Sequence, residues 1–401
     1  MVTKYIEDLG LDKGDVVLDP FCGTGTTLVE SKLRGIAAIG IEANPFAHFA
    51  SSVKTDWEVD PDLLAARARD IAARALGLLK AQGIDDSRAF RGKTNEIALR
   101  TLPAKASRLL ITDSISPLPL HKTLVLLDCM KEHSGERYYQ HALLALAKAL
   151  VFAIGNLHFG PEVGVGKPKD DAPVILPWLS ETERTAGDLR LVAGNSYPNT
   201  HVHLADARQI EGLIAPRSVN AVITSPPYPN EKDYTRTTRL ESVVLGFIKS
   251  KAELRERKKT LLRSNTRGVY KADDDDKWVR EHPEIQRIAR AIEKRRIELG
   301  KTSGFEKLYG RVTQLYFGGI ARHLSQLRAV LRPGARLAYV VGDQASYLRV
   351  MIRTGHLLTD IAQALGYELV RTDLFRTRFA TATKEQLREE VVVLRWPGQK
   401  G

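Results

Sequence analysis

Cysteine is nearly missing from this chain. Only Cys22 and Cys129 occur in 401 residues, too few for a disulfide framework or for a thiolate-rich zinc site made of protein ligands alone. Each reads as a small interior residue, and no metal is expected. Also lacking is any run of eighteen or more uncharged apolar residues, which argues against a membrane-spanning helix of ordinary length. The opening "MVTKYIEDLGLDKGD" has no basic-then-apolar secretion pattern, so the cytoplasm is the expected compartment. Acidic residues are outnumbered: the formal charge is +12 and the pI about 9.5, a balance that favours a polyanionic partner.

The chain does contain short apolar, β-rich runs, each soon followed by a helical pattern or a turn. They are "DVVLDP" (15–20), "AAIGIE" (37–42), "THVHLAD" (200–206), "NAVITSPP" (220–227), "ARLAYVVGD" (335–343), "YELVRTDLF" (367–375) and "EEVVVLRW" (389–396). Runs apolar on both faces belong to strands covered by helices on both sides, so the pattern predicts a doubly wound, mostly parallel seven-stranded α/β sheet. Two stretches break the rhythm. Residues 45–199 carry helical patterns such as 62–82 and 137–158 and read as a helical insertion, with target recognition or dimerisation as its candidate roles. Residues 237–315 read as a second, basic insertion suited to DNA contact; within 249–311, nineteen Lys or Arg stand against eleven Asp or Glu. The tract "DDDD" (273–276) is expected to be a solvated loop or a helix start. The sheet domain is thus assembled from 1–44, 200–236 and 316–401.

The first strand runs into "LDPFCGTGTT" (18–27), where Gly23 and Gly25 permit a tight turn ahead of a helix whose positive end can face a ligand. The second strand ends at Glu42, an acid able to accept bonds from both ribose hydroxyls of an adenosine. The third ends in "LADAR", placing Asp206 where it suits an adenine amino group or, equally, caps the short helix that follows. Three strand tips therefore present glycine, acid and acid along one edge. The fourth run ends in "TSPPY", with Ser225, Pro226, Pro227 and Tyr228 in a stiffened backbone.

"DPFCGTGTT" together with "TSPPY" resembles the paired motifs of the amino-methylating DNA methyltransferases, over roughly 14–44, 200–236 and 316–396. The resemblance implies the class I methyltransferase fold and S-adenosyl-L-methionine as cofactor. It implies that Asp19, Phe21, Gly23, Gly25 and Thr26 wrap the cofactor, that Glu42 holds its ribose and that Asp206 contacts its adenine. It further implies that the Ser225 hydroxyl and the Pro226 carbonyl accept the protons of an exocyclic amino group while its nitrogen attacks in line, the prolines keeping that carbonyl aimed. Tyr228 is expected to stack on a base swung out of the duplex. The chain contains no Pro-Cys pair, in keeping with a reaction that needs no covalent cysteine. Serine at the first motif position leans toward cytosine N4, with adenine N6 as the alternative.

Beyond the motif, Asp233, Tyr234, Arg236 and Arg239 are read as lining the nucleic-acid side, the arginines on phosphates, or else as a solvated loop. The expected partners are double-stranded DNA and a cognate restriction endonuclease, with no membrane and with the oligomeric state open. An RNA base methyltransferase and a non-catalytic DNA-binding protein of the same fold are the remaining readings. Intact glycines and an intact Ser-Pro-Pro-Tyr speak against the latter. Two features depart from the family pattern: the positions of the insertions, and the 14 residues or so before the first strand, which leave the cover over the methionine end to a later segment such as 342–366 or to a chain that starts late.

Overall fold

A computed structural model describes residues 1–87, 98–160, 162–230, 232–380 and 385–398. The chain divides into two compact units. The first comprises Met1–Ser51, Tyr197–Asp233 and Arg257–Gly401, and the second Ser52–Ser196 and Tyr234–Glu256.

The first unit is built on one seven-stranded sheet. Its strands are β1 (Val16–Asp19), β2 (Ala37–Glu42), β3 (Thr200–Leu204), β4 (Val219–Thr224), β5 (Leu331–Gly342), β6 (Glu368–Ala380) and β7 (Glu385–Arg395), in spatial order β3-β2-β1-β4-β5-β7-β6. All pairings from β3 to β5 are parallel, and β7 alone runs antiparallel to both neighbours. This is the doubly wound, mostly parallel sheet that the apolar runs predict, in the class I methyltransferase arrangement. Alternate residues feed opposite cores. Val17, Ala221, Ile223, Ala338, Val340, Val391 and Val393 pack against the helix Val2–Asp8 on one face. Leu18, Val222, Leu337, Tyr339, Val341, Val392 and Leu394 meet helices Pro283–Glu298, Tyr309–Leu327 and Thr354–Ala364 on the other. Where both faces are covered, in β1, β4, the second half of β5 and residues 389–394 of β7, the strands are buried almost throughout, which is why they were legible as apolar runs; the edge strand β3 is half-buried to exposed and β6 is largely exposed.

The residues expected as one basic insertion are divided, the part from Arg257 on belonging to the sheet unit. Helix Pro283–Glu298 shows why: Ile285, Ile288 and Ile292 recur at helical spacing and join the main core, while its arginines lie on the outer face. The acidic tract is the helix start of its two expected forms: it opens the short helix Asp275–Val279 and is only partly solvated. Asp275 is buried between Arg208 and Arg322, and Asp273 holds Arg263 through both oxygens at 2.8 Å. Its backbone lies against helix Tyr309–Leu327 at Gly318, where an added Cβ would sit 1.9 Å from the Asp275 carbonyl oxygen. The neighbouring Gly319 similarly leaves room for Leu262.

The second unit is mainly helical, with helices Pro61–Ala81, Pro117–Lys131, Tyr139–Ala149 and Ile175–Val192 and a small hairpin pairing Leu157–Phe159 with Val163–Val165. The helix expected over 137–158 ends earlier, in a wide turn at Leu150–Ile154. At Gly155 an added Cβ would lie 2.7 Å from the Leu150 carbonyl oxygen, so the chain turns there into the hairpin. Lys122 is fully buried with Asp86 and Asp171, and Asp86 also accepts the N–H groups of Val174 and Ile175 at the start of helix Ile175–Val192. Among the described residues no helix is long and apolar enough to cross a membrane.

Candidate active site

Parallel strands β1 to β5 end at a common edge, and between β1 and β4 the chain order reverses, the place where open α/β sheets take their ligands. At the β1 tip the Asp19 carboxylate is buried. Its Oδ1 accepts the Phe21 N–H at 3.1 Å and the Thr224 hydroxyl at 2.6 Å. Burial pushes the carboxyl up to about 6, against the opposing pull of hydrogen bonds from Thr224, Thr27 and the Phe21 backbone.

The loop that follows turns through Gly23 (φ 53°) and Gly25 (φ 90°), and Gly25 precedes the helix Thr26–Leu33. A Cβ at Gly25 would press on Ser51, 3.0 Å from its Cβ, whereas one at Gly23 would meet no atom within 4 Å. The space over Gly23 is open. Thr26 is exposed at the start of the helix. The β2 tip closes the loop from the side: Glu42 accepts the Gly23 N–H at 2.9 Å on one oxygen and the Asn44 N–H at 2.7 Å on the other. Its side chain keeps part of its surface open, yet desolvation of the carboxyl pushes it up to about 7.

Phe21 meets His323 edge-on at 5.0 Å. This histidine is buried, and burial pushes it down to about 4, so it is neutral. The Ala207 carbonyl at 2.8 Å can only accept, which puts the proton on Nδ1 and leaves Nε2 to accept from the Tyr339 hydroxyl at 2.7 Å. Asp206, beyond β3, accepts the Arg208 N–H at 2.9 Å, a local turn of the capping kind, and binds the Arg208 guanidinium at 2.7 Å. Arg208 continues to Asp275 and to the Lys259 carbonyl. Cys22 is buried under the loop and its thiol is raised far above the ordinary range, chiefly by burial.

At the β4 tip, Thr224 is buried and bonded to Asp19, Ser225 is exposed, Pro226 is buried, and Pro227 and Tyr228 are half-buried. The Tyr228 hydroxyl donates to Glu389 at 2.9 Å. The chain then turns at Asn230 (φ 58°), whose N–H donates to the Ser264 carbonyl at 2.6 Å. Asp233 is buried in an ion pair with Lys258 at 2.5 Å. Asp19, Phe21, Gly23, Gly25, Glu42, Ser225 and Tyr228 thus gather at one sheet edge, with Asp206 on the outermost of the parallel strands there. Tyr234, Arg236 and Arg239 belong to the second unit. There Tyr234 is exposed, and Arg239 bonds the Thr235 and Leu109 carbonyls at 2.8 and 3.3 Å. Sequence reasoning missed Thr224, Glu389 and Lys258. Thr224 stood inside the quoted "TSPPY", but its partner follows only from the pairing of β1 with β4.

A family model described as "DNA methylase" matches residues 1–51, the segment that holds the glycine loop and Glu42. The Type II methyltransferase M.BsoBI of Geobacillus stearothermophilus is 25% identical over 98% of this chain and 81% of its own. Over these stretches the chain is similar to DNA methylases. It is also similar to the Type II methyltransferase M.AvaI of Nostoc sp., at 27% identity over 44% of the chain and 38% of the relative. A SAM-dependent methyltransferase of Methanosarcina mazei superposes over 98% of both chains at 9% identity and a TM-score of 0.33, so the fold rests on the strand order instead.

The methyl donor of the methylase is S-adenosylmethionine, and the residues at the edge fit it. Open space lies over Gly23, and Glu42, although bonded by backbone N–H groups, keeps part of its surface open to accept from vicinal hydroxyls.

Proposed function

We propose that the methylase acts on double-stranded DNA, transferring a methyl group to the exocyclic N4 of cytosine at a defined site, as the modifying half of a restriction-modification system. The observation that carries this reading is the bond from Thr224 to Asp19, which ties the strand ending in Ser-Pro-Pro-Tyr to the glycine loop at one sheet edge. S-adenosylmethionine, when bound, supplies an electrophilic methyl carbon on a sulfonium. Everything else falls to the chain.

An exocyclic amino nitrogen is a poor nucleophile because its lone pair is delocalised into the ring. Ser225, exposed just past the end of β4, offers its hydroxyl oxygen to one amino proton, and the Pro226 carbonyl offers itself to the other. Held this way, the lone pair points along the line of attack: the nitrogen–methyl bond forms as the methyl–sulfur bond breaks, leaving the neutral thioether of S-adenosylhomocysteine, and the proton lost from nitrogen passes by way of the exposed Ser225 hydroxyl to solvent. Tyr228 provides a half-exposed ring on which an extruded base stacks. Asp233, paired with Lys258, steadies the loop that follows. Arg236 is a candidate phosphate contact. The restriction setting is supported by the relatives, both named Type II methyltransferases.

The test is transfer of labelled methyl from S-adenosylmethionine to mixed-sequence duplex DNA and to RNA, with digestion of the product to nucleosides. N4-methylcytosine from duplex DNA is expected. N6-methyladenine would reassign the base, and transfer to RNA alone would overturn the substrate.

A further inference from the structure

Glu389 lies on β7 in register with Gly342 of β5 on one side and Arg376 of β6 on the other. Its two carboxylate oxygens are divided between the neighbours: Oε1 accepts the Tyr228 hydroxyl at 2.9 Å, and Oε2 accepts the Arg376 Nε–H. The Tyr228 ring lies against the bare backbone of Gly342, where an added Cβ would come within 2.8 Å of ring carbon Cε2. The aromatic ring is therefore seated on a strand end, pinned at its far tip by a carboxylate, and that carboxylate is itself clamped by a guanidinium. Burial alone would raise Glu389, but the bonds from Arg376 and Tyr228 outweigh it and hold the carboxyl below the ordinary range, so it stays an ionised acceptor.

We propose that Glu389, clamped by Arg376, is a positioning residue that fixes the tip and axis of the Tyr228 ring over Gly342, whose bare backbone sets the ring's face, so that a target base stacks there with its amino group already aligned to Ser225 and Pro226. The inference rests on the methyl-transfer reading above. A tyrosine side chain can swing about its first torsion and carry the whole ring with it when its tip is free. Alignment of a reacting nitrogen suffers from displacements of an ångström or less. A charge-assisted bond at the tip removes that freedom before substrate arrives, and Arg376 does the same for Glu389.

The experiment compares wild type, E389A, E389Q, R376A, Y228F and the double variant Y228F/E389A in methyl transfer from labelled S-adenosylmethionine to mixed-sequence duplex DNA. Expected is a fall in kcat of about tenfold for E389A and for Y228F, with KM for DNA and the cofactor Kd within about twofold. E389Q, which keeps an acceptor oxygen, recovers most of the loss, and R376A falls between. The double variant is no slower than either single one, because both remove the same bond. Wild-type kcat in Y228F, or losses that multiply in the double variant, would overturn the proposal. Should E389A fail to fold, Y228F decides, since it deletes only the hydroxyl. No transfer by wild type to any DNA would instead overturn the methyl-transfer reading itself.

Discussion

The two ends of the site solve opposite problems. At the β1 and β2 tips the carboxylates of Asp19 and Glu42 are bonded to the loop they serve, through Phe21, Gly23 and Asn44, and burial raises both. That end is closed on itself and offers only the face that a ligand completes. At the β4 tip Ser225 is exposed, and Tyr228 is held from behind by Glu389 rather than by its own loop. Recognition of a cofactor that is always the same tolerates a self-bonded cradle, whereas a base that enters and leaves needs groups presented outward on a rigid backing.

Each expected outcome strains this contrast at a different point. Gly23→Val should have the largest effect. It places a β-branched residue at φ 53° and fills the open space over the loop, so cofactor affinity should fall by about a hundredfold or more in calorimetry. An affinity near wild type would mean that the cofactor does not lie there. Ser225→Ala should lower kcat by about a hundredfold while leaving the cofactor Kd alone, as read by single-turnover transfer beside direct binding. If Kd rises in step, the two ends are not separate.

Thr224→Val keeps the shape and deletes the shorter of the side-chain bonds between the ends, the Thr27 hydroxyl still donating to the Ile223 carbonyl at 3.3 Å, so both cofactor affinity and kcat should fall, each by about tenfold. A loss confined to one of them would assign Thr224 to that end alone. Smallest is the effect of Asp19→Asn on stability without cofactor. Asp19 titrates near 6 in the folded chain and near 4 when unfolded, so its contribution to stability is complete below pH 4 and is lost as pH rises through 6. At pH 8 the wild type carries a buried charge that asparagine lacks, and the variant should melt about 2–4 °C higher, the gap closing toward pH 4. Melting curves at the two pH values check it.

The sequence revealed most of the sheet and the front of the site because both depend on contiguous residues. Strands buried on two faces announce themselves as apolar runs, and "DPFCGTGTT" carries its glycines at the spacing the turn requires. What stayed hidden is what comes from far along the chain. Glu389 sits 161 residues beyond Tyr228, and nothing in "EEVVVLRW" marks the second glutamate's neighbour as a partner for a phenol. Charge misled in the same way. "DDDD" was legible as a helix start but not as a buried one, because its counter-ions Arg208, Arg263 and Arg322 are scattered through the sequence, and the basic helix Pro283–Glu298 looked like an appendage because its isoleucine stripe is narrow beside its many charges.

Gly318 and Gly319 give the acidic segment a seat without slack: any side chain there would evict the Asp275 backbone or Leu262. Such a seat works as an index mark. The chain that returns after Arg257 thus has one register against helix Tyr309–Leu327, which sets where it rejoins the sheet unit.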